Sequence, residues 1–342
     1  MTSYFEGYNN DNPYNRKNTM PVLLLSAPYM IPFVDRFKPV FDHYKLELLL
    51  PQVNERLEED ALLTLAGRFD GTICGDDRFS SRVLEACSPR LKVISKWGTG
   101  TDSIDRAACE RLGIHLKNTP NAFTIPVADS VLGYILAFAR RQPWMDRAIK
   151  AGKWEKIPGR SLSESTLGVV GVGNIGKAVL KRASAFGMRL LGNDIIPIPR
   201  DFLQEYHVES VTLPELVAQA DFVSVNCDLN PTSHHLINRD ILRRMKPGAV
   251  LINTARGPIV NEKDLVEALQ QNRLAGAGLD VFEDEPLPAG SALLSMDNVL
   301  LAPHNSNSSP RAWENVHWNS IRNLLAGLSI NADDLDEWQS KV

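Results

Sequence analysis

Residues 166–194 read T-L-G-V-V-G-V-G-N-I-G-K-A-V-L-K-R-A-S-A-F-G-M-R-L-L-G-N-D, and this stretch decides the fold. The apolar run Thr166–Val170 predicts a buried strand, and Arg189–Gly192 predicts a second one. Between them, a glycine-rich turn leads into a segment whose apolar residues recur at helical spacing: Ile175, Val179, Leu180, Ala183 and Phe186. The order strand, turn, helix, strand predicts one unit of a parallel α/β sheet.

The three glycines of this turn each allow a different close approach. Gly171 permits a tight turn, Gly173 lets backbone amides come near a pyrophosphate, and Gly176 lets the helix pack on the strand. The N-terminus of the helix then faces the phosphates, which makes Asn174 and Ile175 further candidate contacts. A glycine triplet alone often marks an ordinary turn, but here the surrounding strands and helix agree with a dinucleotide site.

Asp194 ends the second strand at the distance expected for a carboxylate that accepts hydrogen bonds from the adenosine ribose hydroxyls. Its negative charge would repel the additional phosphate of NADP. Ile195 and Ile196 follow it where an arginine would favour that phosphate. NAD is therefore the expected cofactor, while Arg200 keeps NADP open as an alternative.

Short apolar runs alternate with amphipathic stretches along the rest of the chain, in two series. They predict an α/β protein with two doubly wound parallel-sheet (Rossmann-like) domains. The other predicted strands are Val22–Leu25, Gly71–Cys74, Leu91–Ser95, Phe222–Asn226, Ala249–Thr254, Gly276–Val281 and Val299–Leu301. Helical spacing predicts a linking helix at Ile125–Arg140 and a late helix at Pro310–Leu328. Since the late helix can lead back to the first domain, that domain is predicted to be discontinuous.

Composition narrows the class of protein. The length of 342 residues favours two hydrophobic cores, and the formal net charge of −4 offers no basic excess for a nucleic-acid partner. The four cysteines lack metal-ligand spacing, which predicts free thiols in a reducing compartment and no metal site. No segment has the roughly 20 apolar residues of a membrane span. We therefore expect a cytoplasmic protein with no membrane partner, and a polar extension at residues 1–19.

Three later segments each end a predicted strand with a polar residue. They read I-N-T-A-R-G-P-I-V at 252–260, G-L-D-V-F-E-D-E-P at 278–286, and L-A-P-H-N-S at 301–306. Ligands bind at strand ends in open parallel sheets. Together with the glycine motif, these segments resemble the D-isomer-specific 2-hydroxyacid dehydrogenases, a family that includes phosphoglycerate dehydrogenase. The resemblance runs from about Val22 to Leu328, and the joint order of four motifs makes it specific.

The resemblance implies an NAD-dependent enzyme that moves a hydride between nicotinamide and C2 of a D-2-hydroxy or 2-oxo acid. It implies that Arg256 binds the substrate carboxylate, that His304 is the acid/base, and that Glu285 orients the imidazole. A planar guanidinium suits a carboxylate, and histidine exchanges protons near neutral pH. An arginine after a strand is usually a surface ion pair, and a histidine after proline is usually a loop residue. The spaced set favours the functional interpretation.

The resemblance also implies further contacts. Asp280 matches the position that hydrogen-bonds the nicotinamide carboxamide, although a turn carboxylate would look the same in sequence. The segment S-K-W-G-T-G-T-D-S-I-D at 95–105 matches the loop whose backbone amides hold the substrate carboxylate. The implied substrate contacts are Lys96, Trp97, Gly98, Thr99, Gly100 and Arg256. The implied additional cofactor contacts are Thr99, Thr254, Ala255 and Asp280.

The sequence departs from the family pattern at several positions. His304 is followed by Asn305, Ser306 and Asn307, where small residues are usual beside the nicotinamide. Gly75 stands where animal-type phosphoglycerate dehydrogenases have a phosphate-binding arginine, and the carboxylates that follow it, at 76 and 77, would disfavour a phosphorylated substrate. Trp97 either shapes a side-chain pocket or packs between domains.

By the resemblance, residues 20–123 and 305–342 form the substrate domain, and residues 124–304 form the NAD-binding domain. The active site is expected in the cleft between them, and a homodimer is expected. The alternatives are phosphoglycerate dehydrogenase proper, a formate- or phosphite-type oxidation, and an NAD(H)-sensing binding protein related to corepressors of this fold.

Overall fold

The computed structural model describes residues 20–342. The polar extension predicted at residues 1–19 lies outside the described residues. Two parallel sheets organise the part that is described, as the two series of apolar runs predict.

The first sheet has five strands in the order β2-β1-β3-β4-β5. They are β1 (Val22–Leu25), β2 (Glu47–Leu49), β3 (Gly71–Cys74), β4 (Val93–Lys96) and β5 (His115–Lys117). The central strands β3 and β4 are buried along their whole length, whereas the edge strands β2 and β5 are partly exposed. Burial on both faces explains why the central strands carry apolar residues at successive positions, as at Val93 and Ile94 in β4, and do not alternate strictly with polar ones.

The second sheet has seven strands in the order β12-β11-β10-β9-β6-β7-β8. They are β6 (Thr166–Val170), β7 (Arg189–Asn193), β8 (Val208–Ser210), β9 (Phe222–Val225), β10 (Val250–Asn253), β11 (Gly276–Leu279) and β12 (Val299–Leu301). Every neighbouring pair is parallel. Successive strands are added on one side of β6 as far as β8, and from β9 onward they are added on the other side. α/β proteins bind ligands at such a switch point, which here lies between β6 and β9.

Thirteen helices connect these strands in the described chain. They are α1 (Val34–His43), α2 (Glu59–Leu65), α3 (Ser81–Cys87), α4 (Arg106–Leu112), α5 (Thr124–Arg140), α6 (Gln142–Lys150), α7 (Asn174–Ala185), α8 (Arg200–Tyr206), α9 (Leu213–Gln219), α10 (Arg239–Arg244), α11 (Glu262–Gln270), α12 (Pro310–Gly327) and α13 (Leu335–Lys341). Short 3₁₀ turns lie at Ile31–Phe33, Leu162–Glu164, Gly257–Ile259 and Ala292–Ser295.

Helices cover both faces of the seven-stranded sheet. On β10, Leu251 belongs to one buried cluster, while Val250 and Ile252 belong to the cluster on the opposite face. This alternation follows from the two-residue period of a strand. The second cluster includes the apolar residues of α5 and of the glycine-motif helix α7, so these two helices share one face of the sheet.

The described chain divides into two compact units. The first contains residues up to Ser95, Asp105–Lys117 and Arg322–Val342, so it is discontinuous as predicted. The second contains Lys96–Ile104 and Asn118–Ile321.

These boundaries differ from the predicted ones, because the loop at 96–104 lies in the second unit. The difference has a packing cause: the Trp97 indole N–H donates to Nδ1 of His317 over 3.0 Å, and the Thr99 hydroxyl donates to the carbonyl of Thr119 over 3.0 Å. The assignment of substrate and cofactor roles to the two parts of the chain stays a prediction.

Two features are absent from the described residues. No helix there is long and apolar enough to cross a membrane. No group of three or more His, Cys, Asp or Glu side chains there is placed to hold a metal ion.

Candidate active site

The glycine turn joins β6 to α7 in a conformation that side chains would obstruct. Gly171 has a φ of +88°, and a Cβ there would lie 2.5 Å from the backbone N of Cys227. A Cβ on Gly176 would lie 2.0 Å from the carbonyl oxygen of Gly171. At Gly173, by contrast, a Cβ would meet no atom within 4 Å. The turn is therefore packed tightly behind Gly171 and Gly176 and open beside Gly173.

The open side of the turn fits the pyrophosphate of a dinucleotide. Gly173 is the N-cap of α7, and no side chain caps this helix end. The first amides of a helix lack intrahelical acceptors, so an uncapped N-terminus favours an anion. Asn174 begins the helix and its amide donates to the side-chain oxygen of Asn121, while Ile175 is partly buried against the core.

Asp194 lies directly after β7 and ties the glycine turn to its own strand. Its Oδ2 accepts the backbone N–H of Val172 over 2.6 Å, and its Oδ1 accepts the N–H of Ile196 over 2.9 Å. Ile195 and Ile196 are 83% and 69% exposed. The carboxylate predicted to bind a ribose therefore lies against the glycine turn, next to the exposed side chains of Ile195 and Ile196.

Two buried polar atoms at neighbouring strand ends need partners. The hydroxyl of Thr254, after β10, and the side-chain carbonyl of Asn226, after β9, have no hydrogen-bond partner among residues 20–342. Buried polar atoms are normally satisfied, so both atoms fit a site for a polar ligand. Thr254 was a predicted cofactor contact. Asn226 was not, although its position after a buried strand was a usable signal.

Arg256 is presented by a turn that Asn253 organises. The Asn253 amide donates to the backbone carbonyl of Arg256 over 2.9 Å, and its oxygen accepts the N–H of Ala255 over 3.1 Å. The Nε of Arg256 lies 3.1 and 3.3 Å from the two carboxylate oxygens of Asp102, and Nη1 donates to the carbonyl of Ala255 over 2.8 Å. Sequence reasoning missed both Asn253 and Asp102.

The loop at 96–100 meets the Arg256 guanidinium. A Cβ on Gly100 would lie 1.8 Å from Nη2 of Arg256, so the guanidinium rests against the loop backbone. The loop bends at Gly98, whose φ is +122°. Lys96 is buried, and its Nζ donates to the carbonyl of Trp97 over 3.1 Å. The predicted substrate loop and the predicted substrate arginine are thus brought together.

Trp97 is a packing residue in this structure. Only 2% of it is exposed, and its ring lies 5.6 Å from that of Phe123 and 6.0 Å from that of Trp313, measured between ring centroids. His317, which accepts its indole N–H, is also buried. This geometry supports a packing role, but these partners all belong to the second unit, so the predicted packing between domains stays a prediction.

His304 and Glu285 are paired. Nδ1 of His304 lies 2.9 Å from Oε2 of Glu285, and Oε1 of Glu285 accepts the backbone N–H of Phe282 over 2.9 Å. Both side chains are about one-fifth exposed. His304 has a φ of +50°, in the left-handed region that few residues other than glycine adopt. The backbone is therefore bent to present this imidazole.

Asp280 holds the loop that follows His304. It is 1% exposed, its Oδ1 accepts the N–H of Asn305 over 2.8 Å, and its Oδ2 accepts the N–H of Ser306 over 2.9 Å. Its backbone carbonyl accepts the N–H of His304 over 2.8 Å. These bonds give Asp280 a structural task that the sequence did not reveal, and its predicted contact with the carboxamide stays a prediction.

Within the first unit, Asp77, one of the two carboxylates that follow Gly75, has a structural role. Asp77 is fully buried and accepts the backbone N–H of Leu57 over 2.7 Å as well as the hydroxyl of Ser26. A Cβ on Gly75 would lie 2.8 Å from Cδ of Pro28. Asp77 therefore fastens local loops, which leaves its predicted repulsion of a phosphorylated substrate without support.

The predicted cofactor and catalytic residues lie along one edge of the seven-stranded sheet. The strands β12, β11, β10, β9 and β6 are successive neighbours, and their carboxyl ends lead to His304, Asp280, Arg256, Asn226 and Gly171 respectively. Neighbouring strands lie about 4.8 Å apart, so parallel strand ends bring such side chains into one region. A proton-exchanging pair, a guanidinium and an anion-accepting turn can act on one bound molecule there.

Comparisons with known proteins agree with this arrangement. Residues 132–306 match the family described as D-isomer specific 2-hydroxyacid dehydrogenase, NAD binding domain. Glyoxylate reductase from Korarchaeum cryptofilum is 37% identical over 299 residues, which cover 83% of this chain and 87% of that protein. The human glyoxylate reductase/hydroxypyruvate reductase is 36% identical over 258 residues, or 74% of this chain and 78% of that protein.

A solved structure extends the similarity to the fold. The D-lactate dehydrogenase from Aquifex aeolicus, complexed with NAD and lactic acid, superimposes with a TM-score of 0.81 at 27% identity, covering 90% of this chain and 95% of that one. The chain therefore belongs to the D-isomer specific 2-hydroxyacid dehydrogenases, NAD-dependent oxidoreductases that transfer a hydride between nicotinamide and C2 of 2-hydroxy and 2-oxo acids.

Proposed function

We propose that this enzyme reduces a small 2-oxo acid, with glyoxylate and hydroxypyruvate as the leading candidates, and that Arg256, Glu285 and His304 carry the chemistry. The observation that carries the proposal is the 2.9 Å contact between Nδ1 of His304, after β12, and Oε2 of Glu285, after β11, since β11 is the neighbour of the strand β10 that leads to Arg256. The names of the relatives from Korarchaeum cryptofilum and human support the choice of substrates.

His304 is the proposed proton donor in reduction. When NADH is bound, it supplies the hydride that is added to C2. The negative charge that develops on the substrate oxygen is then neutralised by the proton of the His304 imidazole, through Nε2. Glu285 contacts Nδ1 and so favours the protonated ring and fixes its orientation. In oxidation, the same nitrogen takes the hydroxyl proton.

Arg256 is the proposed anchor for the substrate acid. A guanidinium binds a carboxylate through two parallel N–H donors and also polarises an adjacent carbonyl. The backbone of Gly100 lies beside it, and the N–H groups of Gly98, Thr99 and Gly100 are proposed as further donors. The buried ammonium of Lys96 would add positive charge behind this loop.

The cofactor contacts proposed are the open side of the glycine turn, the carboxylate of Asp194 and the unsatisfied hydroxyl of Thr254. Thr99, Ala255 and Asp280 are further proposed contacts, and Asp280 holds the loop that follows His304. Asp194 would accept ribose hydroxyl groups and repel the phosphate of NADP, so NADH is expected to bind more tightly than NADPH.

A homodimer in the cytoplasm completes the proposal. Helix α6 buries none of its residues and leaves Ile149 52% exposed, and Trp154 in the segment after it is 88% exposed. Apolar side chains exposed to this degree favour an interface between copies of the chain. The four free cysteines favour a reducing compartment.

Steady-state oxidation of NADH in the presence of glyoxylate, hydroxypyruvate, pyruvate and 3-phosphohydroxypyruvate tests the function. We expect turnover with the two small leading candidates and little with the phosphorylated acid. Replacing His304 by Gln should abolish turnover while NADH still binds. Tight binding of NADH with no turnover of any 2-oxo acid would instead indicate a nucleotide sensor and refute the proposed reaction.

A further inference from the structure

The guanidinium of Arg256 is held on its inner edge by a neighbouring carboxylate. Both oxygens of Asp102 lie near Nε, at 3.1 and 3.3 Å, and the two side chains are each about one-quarter exposed. Nη1 is committed to the backbone carbonyl of Ala255. A long arginine side chain loses conformational freedom when it is ordered, so these two contacts define one orientation of the guanidinium before any substrate arrives.

The loop backbone supplies the third constraint on this guanidinium. A Cβ at Gly100 would fall 1.8 Å from Nη2 and 3.0 Å from the guanidinium carbon. Oδ1 of Asp102 lies 3.0 Å from the same point. Residues 100 and 102 therefore act together: glycine provides the space that Nη2 occupies, and the carboxylate two residues later fixes Nε.

We propose that Asp102 is a positioning residue that fixes the Arg256 guanidinium against the loop at Gly100, so that its Nη side is presented to the substrate carboxylate. The inference rests on the proposed role of Arg256 in binding the acid. Asp102 contacts Nε rather than the Nη atoms, so it holds the edge of the guanidinium opposite to the one proposed to bind the substrate. A carboxylate that merely occupied the place of the substrate would act with the opposite sign, because its removal would tighten binding of the acid.

The test is the kinetics of Asp102→Ala and Asp102→Asn with NADH and glyoxylate. We expect Asp102→Ala to raise the KM for glyoxylate by about 10-fold to 100-fold, with a smaller effect on kcat, because a misplaced binding group weakens productive geometry. Asp102→Asn keeps an acceptor oxygen for Nε and should recover part of the loss. The Kd for NADH and the melting temperature should stay at their original values.

A matched control exists elsewhere in the same unit. Nε of Arg182 on α7 lies 2.6 Å from Oδ1 of Asp129 on α5, which is the same type of pair. Asp129→Ala should leave the KM for glyoxylate unchanged. A rise in KM with this variant equal to that of Asp102→Ala would show a general effect of lost ion pairs and overturn the inference.

A double-mutant comparison separates the inference from the function on which it rests. In an Arg256→Ala background, Asp102→Ala should cause no further loss of kcat/KM, because the guanidinium that Asp102 positions is then absent. If Arg256→Ala itself leaves the KM for glyoxylate unchanged, the proposed function fails. If Arg256→Ala impairs binding while Asp102→Ala leaves KM unchanged or lowers it, the function stands and the positioning role is refuted.

Gly100→Ala gives a second route should Asp102→Ala fold poorly. Its methyl group displaces the flexible end of Arg256, so KM should rise while the Kd for NADH stays the same. Gly133→Ala on α5 is the control, because a Cβ there meets no atom within 4 Å. An unchanged KM in Gly100→Ala would contradict the placement of the guanidinium.

Discussion

The backbone N–H of Ser306 donates to Oδ2 of Asp280 over 2.9 Å, so a buried carboxylate after β11 fixes the loop that follows the histidine at the end of β12. The bond joins residues 26 positions apart across adjacent strands. In this loop the sequence departs from the family pattern, since Ser306 and Asn307 stand where two small residues are usual. Asp280 accepts the backbone N–H groups of Asn305 and Ser306, so the loop is fixed beside His304 despite the change in side chains.

Asp280→Asn should therefore reduce both stability and turnover. The introduced amide cannot accept both N–H groups, and a buried donor left unsatisfied costs about 1–3 kcal/mol. The free energy of unfolding in urea and kcat with NADH and glyoxylate measure the two effects. Asp201→Asn, at an exposed position of α8, should change neither. Full turnover in Asp280→Asn would show that the loop does not position His304.

Reduction should depend on pH through His304. The protonated imidazole is the donor in reduction, so kcat/KM for the 2-oxo acid should fall as the assay pH is raised over the range from about 5 to 8, which is where histidine side chains in general exchange protons. Oxidation of the 2-hydroxy acid requires the neutral ring and should rise over the same range. Parallel pH profiles of both directions with the unmodified enzyme measure this reversal, and profiles with the same slope would contradict it.

Glu285→Gln should move the reduction profile to lower pH. Glu285 contacts Nδ1 of His304, and loss of its negative charge disfavours the imidazolium, so the descending limb shifts down by about one pH unit. Glu283→Gln is the matched control, because Nε2 of His235 lies 2.8 Å from Oε1 of Glu283 in a second pair of this type. Glu283→Gln should leave the descending limb of the pH profile unchanged. An unchanged descending limb in Glu285→Gln would refute the proposed role of Glu285.

Two glycines of the cofactor turn should respond differently to alanine. Gly171→Ala introduces a Cβ at positive φ, 2.5 Å from the N of Cys227, and should cost about 1–3 kcal/mol of stability. Gly173→Ala meets no protein atom, so the fold should survive while NADH binds about 10-fold more weakly or worse. Fluorescence titration with NADH and thermal melting measure the pair. If Gly173→Ala binds NADH as well as the unmodified enzyme does, the pyrophosphate does not bind at this turn.

Sequence patterns predicted the central strands well because these strands are buried on both faces. Thr166–Val170 and Gly71–Cys74 begin and end where the apolar runs do. The short edge strands Glu47–Leu49, His115–Lys117 and Val208–Ser210 were missed. Each has only three residues, at least one of them charged, so its own sequence carries too little apolar pattern to predict a strand.

Candidate site residues could be proposed from the sequence where one residue type suits one chemistry. The contacts of those residues with side chains from distant parts of the chain could not. Gly171 was proposed from the glycine motif and its flanking strands, and Arg256 and His304 from the family resemblance of the segments that follow two other strands. The contact of Asp102 with Arg256 spans 154 positions, and a sequence without homologues does not reveal which carboxylate meets which arginine. Similarly, the burial of Trp97 against His317 depends on where α12 returns.

Asp221 should make stability depend on pH. Burial alone raises the pKa of its carboxyl, but hydrogen bonds from Lys246 and from the backbone N–H of Thr166 outweigh it and leave the pKa below its ordinary value. The charged carboxylate therefore stabilises the folded state above the unfolded pKa of about 4, and this contribution is lost as pH falls through the folded pKa.

Asp221→Asn should thus cost about 1–3 kcal/mol at pH 7 and much less at pH 3. Urea unfolding at both pH values measures the difference, and Asp146→Asn, in the exposed pair with Lys150, should cost less than about 0.5 kcal/mol at either. An equal cost of Asp221→Asn at the two pH values would refute the electrostatic explanation.

Trp154→Glu should convert a homodimer to a monomer. Trp154 is 88% exposed in the single chain, and burying an indole of this size against a second copy contributes about 4 to 6 kcal/mol. A carboxylate there would instead be desolvated without a partner. Light scattering after gel filtration measures the mass. Leu294→Glu, at another exposed apolar residue, should leave the mass unchanged. A Trp154→Glu protein that remains dimeric would locate the interface on another surface, because this segment would then be dispensable for assembly.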